Sequence, residues 1–238
     1  MAIQAGETTF YQAKRGIVQD GLVLNLDAAV DASYDEQTIW KDLVQSNNGT
    51  FVNMDSTNFD KSNGGSLVFD GTNEYIYGGD TSQTITNACC CCAWFKATGA
   101  PSHNDIAGGM IFGQSDAYDH GLVIAHSWAN QTISLGTYIN NALRSDNGSA
   151  ATNSFIFVVG QQDGSKQEIF VNNVLVKERA YTTAPNVSNP AYQIGRWGWT
   201  TWGRYFNGHI YGVSVYNRAL TSDEVARNYN ATRHRFGV

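Results

Sequence analysis

The chain has 238 residues, a formal charge of −6, 42% hydrophobic residues and only 15% charged ones. That much apolar material sustains a core and excludes global disorder, and so few charges exclude a long coiled coil. The negative balance argues against a broad nucleic-acid-binding surface. With 24 Gly, 3 Pro and many Asn, Ser and Thr, the composition is that of short strands joined by polar turns, at a length where one sandwich forms a single domain.

Residues 1–20 read as an N-terminal arm. Phe10, Tyr11 and Ile17 are scattered among Gln, Thr and Gly with the basic pair Lys14-Arg15. Such a segment orders only against a partner, or else is a frayed terminus. The opening residues lack the basic and apolar regions of a secretory signal, so none is expected. No run reaches 18 apolar residues, so no membrane span is expected either. Asn48-Gly49-Thr50 and Asn147-Gly148-Ser149 then read as turns.

From Gly21 onward, residues 21–238 read as one all-β domain. Strands are expected at 22–26, 49–52, 66–69, 74–77, 88–95, 110–112, 121–124, 132–135, 154–159, 168–171, 174–176, 192–195 and 206–216. Turn signals separate them at about the spacing of an antiparallel sandwich. Asn172-Asn173 between two runs predicts a tight hairpin. Thr221-Ser222-Asp223-Glu224 matches a capping box and predicts a short C-terminal helix. Val225, Tyr229 and Thr232 share one of its faces, and Gly237 is its stop.

All four Cys are consecutive, Cys89–Cys92. Side chains alternate along a strand, so Cys89 and Cys91 face one side and Cys90 and Cys92 the other. The four cannot converge on one metal, and the run closes no disulfide loop. They read as small core hydrophobes, with thiols suited to a reducing cytoplasm. The five His show no close metal spacing, and His120 and His126 read as structural. No Gly-x-Ser-x-Gly elbow or phosphate loop occurs. The most unusual local feature is the aromatic group Trp197, Trp199, Trp202, Tyr205 and Phe206. Three uses are open to it: filling or covering the sandwich, a protein interface, or a platform for stacking sugars.

Several stretches together resemble the laminin-G-like, concanavalin-A-like jelly roll: Gly21–Ala28; Thr38–Leu43 followed by Asn47–Thr50; Ser66–Tyr75; Ala93–Lys96; Ile169–Leu175; and Phe206–Thr221, with its Tyr216-Asn217-Arg218-Ala219-Leu220 tail. The resemblance covers about residues 21–230 and implies an antiparallel β-sandwich. Members often bind a structural Ca²⁺ through an Asp in the turn that Asp70 matches. Here the acidic pair of the closing strand is replaced by Tyr211-Gly212, so no metal or other cofactor is expected and Asp70 is a weak calcium candidate with a turn role as the alternative. Glucanases of this fold carry Glu-x-Asp-x-x-Glu on one strand, which none of the six Glu begins. The lyase strands of the fold are matched only faintly around Gln193–Arg196 and Tyr205–His209. No catalytic residue is therefore expected. The opening Tyr11–Ile17, directly before the first strand, resembles virion proteins of tailed bacteriophages. That implies a non-enzymatic virion component assembled in the host cytoplasm. Its implied place is the capsid surface, as a decoration protein docked on the shell by Phe10, Tyr11, Lys14 and Arg15 and forming a homo-oligomer. Trp197, Trp199, Trp202 and Tyr205 would then contact surface glycans or a protein. A tail or fibre adhesion module with lectin-like binding is the alternative, and a polysaccharide lyase the remote one.

Overall fold

The structure is a computed structural model that describes residues 16–34, 38–80, 88–101, 108–113, 122–136, 142–182, 191–197 and 203–238. The strands in chain order are β1 (Leu22–Asp27), β2 (Ile39–Trp40), β3 (Gly49–Val52), β4 (Phe59–Asp60), β5 (Ser66–Asp70), β6 (Tyr75–Asp80), β7 (Cys89–Ala97) and β8 (Gly109–Gly113). They continue with β9 (Val123–Ser127), β10 (Thr132–Leu135), β11 (Leu143–Arg144), β12 (Ile156–Gln162), β13 (Lys166–Val171), β14 (Val174–Ala180), β15 (Ala191–Ile194) and β16 (Asn207–Tyr216). One α-helix follows, α1 (Ser222–Thr232).

The strands form two antiparallel sheets. Sheet A runs β14-β13-β12-β7-β16-β5-β4, and β1 also pairs with β16. One edge of β16 therefore serves two strands: residues 207–210 pair with β5 and residues 212–216 with β1. Sheet B runs β11-β10-β9-β8-β15-β6-β3-β2. Between the sheets lies the main core, which includes Leu24, Trp40, Leu67, Phe69, Phe95, Phe112, Tyr192 and Phe206, none more than 2% exposed. Gly78 is dictated by this packing, because a Cβ there would sit 1.9 Å from the ring of Tyr192.

The cysteine run alternates as its strand periodicity requires. Cys89 and Cys91 enter the main core, while Cys90 and Cys92 point to the outer face of sheet A. That outer face is itself apolar, with Trp94, Phe157, Val159, Phe170 and Tyr216 all buried. It is covered by α1 and the turn after it, through Val225, Tyr229 and Phe236. The helix begins with the expected capping box: Thr221 Oγ1 accepts from Glu224 N and the Glu224 carboxylate accepts from Thr221 N. Gly237 stops the chain in a left-handed conformation, φ 68°.

Two further expectations meet the structure. Asn172 and Asn173 both adopt positive φ, 48° and 69°, and close the β13–β14 hairpin. Of the arm, residues 16–20 are described and pack onto the sandwich. Val18 is 3% exposed, its N–H donates to Asn228 Oδ1 (2.8 Å), and its carbonyl accepts from the Tyr216 hydroxyl (3.1 Å). Phe10, Tyr11, Lys14 and Arg15 lie outside the described residues.

Candidate functional site

The two sheets differ in what covers their outer faces, and the difference begins in the strand pattern. On sheet B, alternate residues such as Ile76, Ile124, Ile133, Leu135, Leu143, Tyr192 and Ile194 enter the core. Their neighbours must project outward. Strand register aligns two outward rows. One runs Thr50–Tyr77–Gln193–Gly113–Val123 and the other Met110–Ala125–Ser134–Arg144.

Around these rows the loops after β15 and before β16 bring aromatic rings and arginines together. The Arg196 guanidinium lies 4.6 Å from the ring centroid of Tyr75 and 5.7 Å from that of Tyr205. The two tyrosine rings are 6.4 Å apart. The Arg204 guanidinium lies 5.6 Å from the Trp197 ring. These are cation–π distances, at which an aromatic ring attracts and orients a guanidinium. Tyr77, at 44% exposure, is the most open ring of the group.

The same face holds polar atoms that the fold buries without satisfying. Among the described residues, Thr132 Oγ1, Ser134 Oγ, Gln193 Oε1, Arg196 Nε and Trp197 Nε1 have no hydrogen-bond partner. Each such group carries a desolvation penalty of about 1–3 kcal/mol until something pairs with it. A native fold tolerates several on one surface where a ligand or ordered water completes them.

Of the expected site residues, Trp197 and Tyr205 are therefore brought to one face, but Trp197 is not an exposed platform. It is 6% exposed and packs on Met110 and Val123, because Gly113 leaves a gap that Met110 fills. Trp199 and Trp202 lie outside the described residues. Phe206 belongs to the main core, edge-on to Phe69 and Phe95. Tyr77, Gln193 and Arg196 were not singled out as binding residues from sequence. The signal for Tyr77 was the period-two alternation of Tyr75, Ile76 and Tyr77.

Asp70 takes the turn role. Its Oδ1 accepts from the backbone N–H of Thr72 (2.7 Å) and Asn73 (3.1 Å). Tyr211, at the closing-strand position, packs against Phe155 and Phe236. A calcium ion needs several free oxygens, and this donor set does not fit one. Among the described residues no three His, Cys, Asp or Glu are placed to hold a metal. His126 is structural: it is buried, with Nε2 2.9 Å from the Ala150 carbonyl oxygen. His120 lies outside the described residues.

A Ser–His–Asp trio does occur on sheet A. Ser66 Oγ is 3.0 Å and Asp60 Oδ2 3.7 Å from His209, but both address the same ring nitrogen, Nδ1. A nucleophile relay needs the acid and the serine on opposite nitrogens. Burial holds the imidazole below its ordinary value, with the Asp60 charge opposing, and the trio ties β4, β5 and β16 together.

The comparisons with known proteins agree on the architecture. None of the curated proteins matches the chain in sequence. Among solved structures, a Trypanosoma rangeli sialidase in complex with the inhibitor DANA is similar with a TM-score of 0.64 at 16% identity, over 90% of this chain and 33% of that one. This chain thus spans about a third of that sialidase. Domain 4 of AbnA, a GH43 extracellular arabinanase from Geobacillus stearothermophilus, in complex with arabinotriose, also gives 0.64, at 14% identity, over 90% of this chain and 100% of that one. The binding domain of botulinum neurotoxin serotype D/C gives 0.63 at 10% identity, over 89% of this chain and 52% of that one. At such identities the likeness is one of fold. A family model described as the Concanavalin A-like lectin/glucanases superfamily matches residues 70–226, and with two stacked antiparallel sheets built on that stretch, the chain belongs to this superfamily.

Proposed function

We propose that this chain is a non-enzymatic, glycan-binding structural component of a bacteriophage particle, displayed on the capsid, and that the outer face of sheet B is its glycan site. The observation that carries the binding half is the cluster of Tyr75, Arg196 and Tyr205 together with the exposed Tyr77 and its register neighbour Gln193, whose amide oxygen is buried and unpartnered. Sugars present apolar ring faces and hydroxyl edges together. A surface of that mixed kind stacks on the faces and pairs with the edges. The solved arabinanase domain bound to arabinotriose gives a sugar-binding precedent on the same fold. Recognition, not cutting, is the role that such rings and neutral donors serve.

The virion half is supported by the resemblance of Tyr11–Ile17, and it assigns docking on the capsid shell to the segment carrying Lys14 and Arg15. A tail or fibre adhesion module would use the same sheet face.

Glycan-array binding of the full chain tests the first half, with Tyr75→Ala and Tyr205→Ala as variants. Retained binding in both variants, or no hit for the native chain, defeats it. Deleting residues 1–15 and measuring occupancy on purified particles tests the second; unchanged occupancy removes the segment from assembly.

A further inference from the structure

We infer that Cys90 and Cys92, on the outer face of sheet A, form a site for one soft divalent cation of the zinc type, covered by α1. The first ground is the spacing of the two sulfurs. Alternation along β7 puts both side chains on the same face, in the cluster that α1 covers. Their Sγ atoms lie 3.8 Å apart. A disulfide needs about 2.05 Å, so that separation is not one for a direct sulfur–sulfur bond. Two zinc–sulfur bonds of about 2.3 Å, meeting at a tetrahedral angle of about 109°, place their sulfurs about 3.8 Å apart. The strand therefore presents the pair at the bite of a tetrahedral ion.

The second ground is room beside the pair. A cavity of about 140 Å³ lies between sheet A and α1, and Cys92 lines it together with Ile17, Trp94, Ser214, Asn228 and Thr232. Small residues make its floor: Gly212 and Ser214 of β16 stand beside Cys92. The chain supplies two ligands, where a closed structural zinc site has four. Two positions are left for water or a small ligand in the cavity, the open arrangement that catalytic ions keep.

The third ground is charge and its support. Zinc displaces both thiol protons to the buffer, and two thiolates with one divalent cation sum to zero. The loaded pair thus brings no net charge under the helix, where an unpaired ion would be costly. Asn228, 2% exposed, holds its Nδ2 against the Tyr216 hydroxyl (3.0 Å) and donates to Cys92 Sγ at 3.8 Å. An N–H aimed at a ligating sulfur orients it and steadies its negative charge. Burial pushes the Cys90 thiol up, so the ion has to displace a firmly held proton, and thiophilic cations do so where hard ones do not. Cys89 and Cys91 point into the main core instead, and the site does not use them.

The test uses the full chain, kept reduced by a phosphine, and cobalt(II) as the probe ion. One equivalent of Co²⁺ should produce a thiolate-to-cobalt charge-transfer band, which Zn²⁺ then abolishes by displacement. Cys90→Ala and Cys92→Ala should each remove the band. Cys89→Ala and Cys91→Ala, which delete the same atoms on the other face, should keep it. Zn²⁺ should also raise the melting temperature of the native chain and of Cys89→Ala, but not of Cys92→Ala. Circular dichroism confirms which variants fold, and the two substitutions on each face serve as independent readings. No charge-transfer band from the native chain overturns the site. So does a band that survives in Cys90→Ala or Cys92→Ala, or one lost equally from all four variants.

Discussion

At the scale of single residues, the chain places polar groups where one partner set satisfies them. Asp42 is 9% exposed, and its carboxylate accepts from the backbone N–H of Asn25 (2.9 Å), Val44 (3.0 Å) and Gln45 (3.0 Å). One side chain thereby fixes the turn after β2 against β1. Glu224 does comparable work at the head of α1. Arg218 donates to both its oxygens, and with the Thr221 N–H holds its carboxyl at about 2, below the ordinary 4.5. A depressed carboxyl adds stability that is complete above the unfolded value and is lost as pH falls toward the folded one. Melting temperature should therefore decline between pH 4.5 and 2, and Glu224→Gln should flatten that part of the profile. The side chain is 26% exposed, so solvent screening keeps the effect to about 1 kcal/mol or less. An unchanged slope in the variant contradicts the assignment.

At the scale of elements, the hairpin and the helix show how local chemistry meets packing. The β13–β14 turn needs positive φ at both central residues, which Asn tolerates and Gly adopts without a Cβ penalty. Asn172 is needed for another reason: its Oδ1 accepts from Phe157 N (2.9 Å). Asn173→Gly should therefore stabilise the domain by about 0.5 kcal/mol, whereas Asn172→Gly loses a hydrogen bond and should not. Urea denaturation separates the two. The helix is legible from its capping box and from the Val225, Tyr229, Thr232 face. Its docking site was less so. Cys90, Cys92 and Trp94 had to face something apolar, yet nothing along the chain said that α1 and Phe236 would supply it. The two-residue strands β2, β4 and β11 went unread for a related reason. They carry too few residues to show a period, and only their pairing partners define them.

At the scale of the whole molecule, the outer face of sheet A is roofed by the C-terminal helix. Sheet A carries α1, and the segment before β1 is clamped beneath it. Arg227 Nε donates to the Gly16 carbonyl (2.8 Å), and Val18 is buried beside Asn228. A chain starting at Gly21 should accordingly be less stable than one starting at Gly16, by about 2–4 kcal/mol, from a lost Val side chain and its hydrogen bonds. Equal midpoints in chemical denaturation refute this. On sheet B the outward rows bring Tyr77, Gln193 and Arg144 from three different strands into one surface with Arg196 and Tyr205.

What the amino-acid order determined by itself was the local grammar: where strands alternate, which turns need Asn or Gly, which residues cap the helix, and that Cys89–Cys92 face two ways. These follow from interactions within a few residues, so a linear reading reaches them. Which side chains share an outward face was decided only by tertiary structure. Strand register sets Gln193 beside Tyr77, two loops lay Arg196 on Tyr75 and Tyr205, and the gap at Gly113 lets Trp197 sink onto Met110. Those neighbours are far apart in sequence, and each is chosen by packing that no single segment encodes.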